Sequence, residues 1–190
     1  MVLVKVAMES PVQLDGTVME PSHKLPTAVS PTDKPWQLRD QSKKNSCDFH
    51  IVTSFVFSDR GNCYFAGQNS ALTSMWQTID LTNYADPDLI DTQALKFNLS
   101  AWIGGYDAEN DNAKISLTFL DQLNQTISSG ITIGPVLAGA RGNKIALLFR
   151  QTQGFVPAGT RFITVTVTIT RTAGTIANGD VDNIALVLYP

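Results

Sequence analysis

Residues 161–171 read RFITVTVTITR. Ile163, Val165, Val167 and Ile169 alternate without a break with Thr164, Thr166, Thr168 and Thr170, so a side-chain period of two makes one face apolar and the other hydroxylated. All of these residues are β-branched, a shape that suits a pleated surface. The segment is a strand, and its pattern recurs on both sides of it in the chain. ALKFNLSAWIG (94–104) puts Leu95, Phe97, Leu99, Ala101 and Ile103 on one face, and AKISLTFLD (113–121) does the same with Ile115, Leu117 and Phe119. Further strands are expected at 49–57, 62–66, 73–82, 126–134, 143–151 and 181–189, with one short helical turn at YADPDLID (84–91). Many short strands punctuated by Gly, Pro and Asn predict an all-β fold, an antiparallel two-sheet β-sandwich or jelly roll.

The chain has 190 residues, of which 43% are hydrophobic. That is one domain, able to bury roughly 70% of its unfolded surface without help from a metal or disulfide. Residues 1–48 hold an opening strand and an arm carrying Pro11, Pro21, Pro26, Pro31 and Pro35, expected to pack on the sandwich core of residues 49–190. The formal net charge is -3 and the only basic run is Lys43-Lys44, which excludes the electrostatic footprint of a nucleic-acid binder. No apolar run approaches the ~20 residues of a membrane span, and MVLVKVAMES lacks a signal-peptide core, so the protein is expected either to be intracellular or to begin after a removed leader. If 48–59 and 62–67 form a hairpin around Asp59-Arg60, Cys47 and Cys63 lie roughly 30 Å apart and stay free.

Catalysis finds little in the sequence. His23 and His50 have no metal-ligand spacing, and no nucleophile elbow, phosphate loop or dinucleotide fingerprint follows a strand. The pairs Asp107 and Glu109, or Asp86 and Asp88, are adjacent in a loop rather than facing across a cleft, as glycoside hydrolysis requires. The chain is expected not to be an enzyme.

The acidic loop is more informative. If consecutive strands run up and down, the connections 66–71, 104–112, 134–142 and 171–180 emerge at one pole, which collects Asp107, Glu109, Asp111 and Asp180 with Asn69, Asn110, Asn112 and Asn178. Loops at one end of a rigid sandwich commonly bind ligands, whereas the bland alternative is that such residues only make turns and keep a tip soluble.

The runs RGNCYFAGQNSALTSMWQTIDLTNYADPDLID (60–91), FNLSAWIGGYDAENDNAKISLTFLD (97–121), IGPVLAGARGN (133–143), VPAGTRFITVTVTITRTAG (156–174) and GDVDNIALVL (179–188) follow one another over nearly all of residues 60–190. In this order and spacing they resemble a bacterial extracellular module of the galactose-binding-like jelly-roll type, similar to carbohydrate-binding modules. LVKVAMES (3–10) and KPWQ (34–37) stand where such modules open, with Lys5 and Val6 in place of an Asn-Gly pair. The resemblance implies a structural Ca²⁺ held by Glu9 of the opening strand and Asp182 of the closing one, where carbonyls or waters would complete a shell of 6 to 8 oxygens.

Together these readings give a lectin-like module that binds a glycan or cell-surface carbohydrate. Tyr106, Asp107, Glu109, Asn110 and Asp111 at the pole are its candidate ligand contacts, carboxylate and amide groups engaging hydroxyls beside an aromatic ring. Trp102 and Trp76, on the polar faces of their strands, are further candidates for stacking on a sugar ring, unless a neighbouring segment covers them as packing. The alternative is a structural or adhesion component of an extracellular or particle surface, with a protein partner or self-association through the N-terminal arm. Asn98 and Asn124 begin glycosylation sequons, Asn98 in mid-strand and Asn124 in a turn, so Asn124 is the accessible one.

Overall fold

In a computed structural model, the backbone is described for Val2–Lys5, Trp36–Asp40, Cys63–Gly67 and residues 69–190, with side chains described from residue 64 onward. Among the described residues ten strands are present: β1 (Val2–Lys5), β2 (Trp36–Asp40), β3 (Cys63–Gly67), β4 (Leu72–Asp80), β5 (Lys96–Gly105), β6 (Asn112–Leu120), β7 (Thr126–Ile133), β8 (Ala146–Phe155), β9 (Phe162–Thr170) and β10 (Gly179–Tyr189). One helical turn, α1 (Pro87–Asp91), lies between β4 and β5. Asp86 caps it by accepting the Asp88 N–H at 2.9 Å, and Pro87 occupies the first turn, where its missing N–H costs nothing. Asp86 and Asp88 are therefore helix-start residues.

The strands form an antiparallel two-sheet sandwich. The larger sheet has six strands in the order β2-β3-β10-β5-β8, with β1 paired to β10 beyond the reach of β3, and the smaller has four in the order β4-β9-β6-β7. The RFITVTVTITR segment is β9, central in the smaller sheet between β4 and β6. Its Ile163, Val165, Val167 and Ile169 are buried, and its threonines form part of the outer surface. Facing them from the larger sheet are Phe97, Leu99, Ala101 and Ile103 of β5 with Val181, Leu186 and Leu188 of β10. Phe97 and Phe119 join the two layers through tilted rings 5.6 Å apart.

One boundary differs from expectation. β8 runs to Phe155, well past the expected end at 151, because its outward row alternates Phe149, Gln151, Gln153 and Phe155, a pattern in which polar and aromatic residues both occupy the exposed face. β3 pairs with β2 along its whole length on one edge and with β10 at Phe65 and Ala66 on the other. The hairpin expected between 49–57 and 62–66, and the separation inferred from it for Cys47 and Cys63, rest on residues 49–57 and Cys47, which lie outside the described residues. KPWQ, by contrast, does lead into a strand, β2, whose Trp36 pairs with Gly67.

The connections β3 to β4, β5 to β6, β7 to β8 and β9 to β10 all leave the sandwich at one end, as the up-and-down order requires. At this pole the strands pinch together. An added Cβ on Gly104 would lie 1.8 Å from the Ala146 carbonyl oxygen, and one on Gly179 would lie 2.4 Å from the Asn112 carbonyl, so only glycine permits the approach. The core predicts its own weak points. Phe119→Ala and Phe97→Ala each remove a fully buried ring that spans the layers, and urea melts should show losses of about 3–5 kcal/mol for each.

Candidate functional site

The four connections at the pole are tied together by groups that sequence reading placed there for a ligand. Asp111 is fully buried. Its Oδ1 accepts the Thr172 N–H (2.6 Å), the Thr172 hydroxyl (2.9 Å) and the Ala173 N–H (3.2 Å), while Oδ2 accepts the Asn178 N–H (2.9 Å). Burial pushes its pKa up, but the donors from Asn178, Thr172 and Ala173 together outweigh burial and hold the carboxyl below the usual aspartate value. Glu109 accepts the Asn178 side-chain N–H at 2.7 Å, and the Asn110 side-chain Oδ1 accepts the Ala138 N–H at 3.2 Å.

A buried arginine completes the arrangement. Arg141 donates from Nη1 to the carbonyls of Gly105 (2.9 Å), Asp107 (3.0 Å) and Lys144, and from Nη2 to the carbonyl of Glu109 (2.8 Å). Arg171 joins Asn69 of the β3–β4 connection to Thr175 of the β9–β10 connection. Nothing in the spacing of Arg141 or Arg171 reveals these roles in the sequence, because their partners are backbone carbonyls that any residue type would supply.

This geometry corrects the expectation for Asp111, whose carboxylate is committed inside the fold and cannot meet a ligand in solvent. Glu109 is half-buried and engaged with Asn178. Tyr106, Asp107 and Asn110 stand exposed at the tip of the pole, Asp107 in a left-handed conformation with φ 41° and Asn110 with its side-chain oxygen turned to the Ala138 N–H. Around them the pole also exposes Leu72, Leu137, Ile145 and Ile176.

Trp102 and Trp76 lie elsewhere and apart. Both are half-buried, Trp76 on the outer face of the smaller sheet opposite Thr166 and Trp102 on the outer face of the larger sheet, so one ligand cannot touch both. Trp102 pairs with Phe149, and the two rings meet edge to face at 5.7 Å. From this pair two rows run in register: Trp102, Ser100, Asn98 and Lys96 on β5, and Phe149, Gln151, Gln153 and Phe155 on β8. With ~3.3 Å per residue and ~4.8 Å between strands, they make a strip roughly 20 Å long. Aromatic rings mark both ends and hydrogen-bonding side chains fill the middle. β8 is an edge strand, so one side of the strip is open among the described residues. Sequence reading found Trp102 but missed its neighbours across the strands, since pairing is not written in either strand alone.

Asp182 and Asp180 are buried on the same side of β10, Asp182 next to Trp102 and accepting the Asn183 N–H at 2.7 Å. Glu9 lies outside the described residues. Among the described residues no three His, Cys, Asp or Glu side chains gather as a metal-binding group. Asn124, in the exposed turn after β6, is open to solvent, whereas Asn98 is half-buried within the strip.

No protein-family profile matches the chain, and no curated protein does either. Among solved structures, the chain is similar to the enzymatically active domain of tailspike protein 4 of bacteriophage CBA120, with a TM-score of 0.49, 17% identity, and coverage of 82% of this chain and 19% of that one. It is also similar to the C-terminal family 22 carbohydrate-binding module of Clostridium thermocellum xylanase 10B, with a TM-score of 0.43, 11% identity and coverage of 80% and 85%. A third is a family 61 carbohydrate-binding module in complex with β-1,4-galactotriose, with a TM-score of 0.38, 17% identity and coverage of 80% and 88%. The chain thus spans about a fifth of the tailspike chain and most of each binding module. The modules it resembles are jelly-roll β-sandwiches.

The pole predicts a pH dependence. The folded pKa of Asp111 is depressed below its ordinary 3.8, so its contribution is full above that value and is lost as pH falls through the folded pKa. Asp111→Ala leaves buried N–H donors unpaired and should lower stability by about 3 kcal/mol or more at neutral pH. Urea midpoints measured from pH 7 down to pH 2 should fall less steeply below pH 4 for this variant than for the parent.

Proposed function

We propose that the chain is a non-catalytic, lectin-like glycan-binding module that takes an extended sugar chain along the strip between β5 and β8. The observation that carries this is the strip itself. Trp102 and Phe149 offer an apolar surface to the C–H face of a sugar ring, while Ser100, Gln151, Asn98 and Gln153 supply both donors and acceptors at strand spacing. Their neutrality suits hydroxyl groups, which ask for paired hydrogen bonds and no charge. The likeness to carbohydrate-binding modules agrees with this class of ligand without identifying the sugar. The reading puts the module outside the cell or on a particle surface, where polysaccharides are met; none of the helices among the described residues is long and apolar enough to cross a membrane.

A second reading has its own observation. Leu72, Tyr106, Leu137, Ile145 and Ile176 place exposed apolar side chains on or beside all four polar connections, and such patches mark protein contacts. In that case the module is a structural or adhesion component, and its pole meets a protein partner. A screen of immobilised glycans separates the two. We expect binding that Trp102→Ala weakens about thirtyfold, as for a central aromatic contact, with Tyr106→Ala and Asp107→Ala within about twofold of the parent. Loss confined to the Tyr106 and Asp107 variants would return the site to the pole, and a blank screen would favour the protein-contact reading.

The structural Ca²⁺ belongs to the same proposal. Asp182 and Asp180 are hard oxygen donors on one side of the closing strand, the chemistry that calcium selects, and β1 pairs with that strand through Val2–Lys5. An ion bound only by the folded state raises the melting temperature with its concentration. Calcium should therefore raise Tm for the parent and not for Asp182→Ala; a Tm indifferent to calcium and chelator in both proteins removes the ion.

A further inference from the structure

The end of the strip away from Trp102 carries a charge that the fold does not use. Lys96, the first residue of β5, pairs with Phe155 on one side and Tyr189 on the other. Its Nζ stands 5.7 Å from the Phe155 ring centroid and 5.9 Å from that of Tyr189, within the range of cation–π attraction to both. The Tyr189 hydroxyl reaches across β5 toward Gln153 Oε1, a long contact at 3.5 Å that helps to set the ring beside the ammonium. The ammonium is thus positioned by two rings before any ligand arrives, and much of the rotamer entropy of its side chain is already lost.

Among the described residues no carboxylate neutralises it. The ion pair found among them is Arg161 with Asp91, at the opposite pole from the acidic loop, and none of their acidic side chains lies within 4.0 Å of Lys96. The next cation along β8, Arg150, pairs with the buried Ala101 and so belongs to the inner face, leaving Lys96 as the cation of the strip. The chain as a whole carries a net charge of -3, so its overall field does not favour anions. Among the described side chains of the strip, the Lys96 ammonium is a local exception.

We infer that Lys96 selects an anionic sugar: the strip takes a polysaccharide whose neutral units lie against Trp102 and whose carboxylate or sulfate-bearing unit, roughly 20 Å further along β5, pairs with the Lys96 ammonium. This rests on the glycan-binding reading and names the class of glycan. Aromatic rings alone would hold the stem of any long side chain. The charge is needed only if something negative is to be met.

The probes are uronate oligosaccharides with their carboxyl-reduced counterparts, and sulfated oligosaccharides with their desulfated counterparts, so that each pair shares a backbone and differs in charge. The parent should prefer the charged member of one pair about five- to tenfold, and the preference should shrink as salt rises. Lys96→Met keeps an apolar stem between the rings and should remove the preference, the loss falling on the charged member of the pair; Lys96→Arg should retain it. Which pair shows the effect separates carboxylate from sulfate ester. Equal binding of charged and neutral members by the parent, or an undiminished preference in Lys96→Met, overturns the inference while glycan binding stands. Failure to bind any of the four probe types overturns both.

Discussion

The Asp111 carboxylate is an ion with no water around it, and such a group survives only where donors replace its hydration shell. Here the donors come from the connection between β9 and β10, through Thr172, Ala173 and Asn178, while Asp111 itself ends the connection between β5 and β6. One carboxylate therefore ties the smaller sheet to the larger at the pole. Arg141 does the converse work with a cation: its guanidinium gathers carbonyls from the β5–β6 and β7–β8 connections. An anion fed by N–H groups and a cation fed by C=O groups satisfy, between them, the backbone polar atoms that irregular chain cannot pair in a ladder.

This bracing accounts for the chemistry of the loop that first draws attention. Acidic and amide residues crowd into 107–112 because short polar side chains can reach neighbouring backbone, not because the tip must hold a ligand. With Asp111 and Glu109 engaged in the fold, the exposed part of the pole combines apolar side chains such as Leu137 and Ile145 with Asp107, Asn110 and Lys144. The glycines at 104 and 179 belong to the same device, since the sheets can approach closely enough for these bonds only where no Cβ intervenes. A rigid pole in turn fixes the register of β5 against β8 and β10, and with it the alignment of the strip.

How much of this the sequence discloses depends on whether a feature is local. The alternation in β9 and β5 names both strands and both inner faces, because period two is a property of one segment. The gathering of four connections at one pole also follows from counting antiparallel strands. Partner choice does not: that β3 lies between β2 and β10 depends on residues far away in the chain. The candidate site divides in the same way. Trp102 is legible as an outward aromatic, but Phe149 and Lys96 acquire meaning only when β8 and β10 are laid beside β5. Arg141 is silent in the sequence for a further reason, as a basic residue in a Gly-rich turn reads as exposed until four carbonyls are seen around it.

The two outer faces of the sandwich differ in what they leave unsatisfied. On the smaller sheet the hydroxyl row of β9 faces other hydroxyls across the strands, and Thr78 and Thr164 bond to each other at 2.9 Å. Such pairs stabilise a sheet without a ligand. On the larger sheet the amides of Gln151 and Asn98 carry both donors and acceptors, more than one neighbour can satisfy, and the ammonium of Lys96 rests against rings instead of a carboxylate. Trp76 stands opposite Thr166, beside that bonded pair, on a row of short hydroxyl side chains. Trp102 stands at the head of a row whose polar groups still have bonds to make, and that difference gives the larger sheet the stronger claim to a ligand.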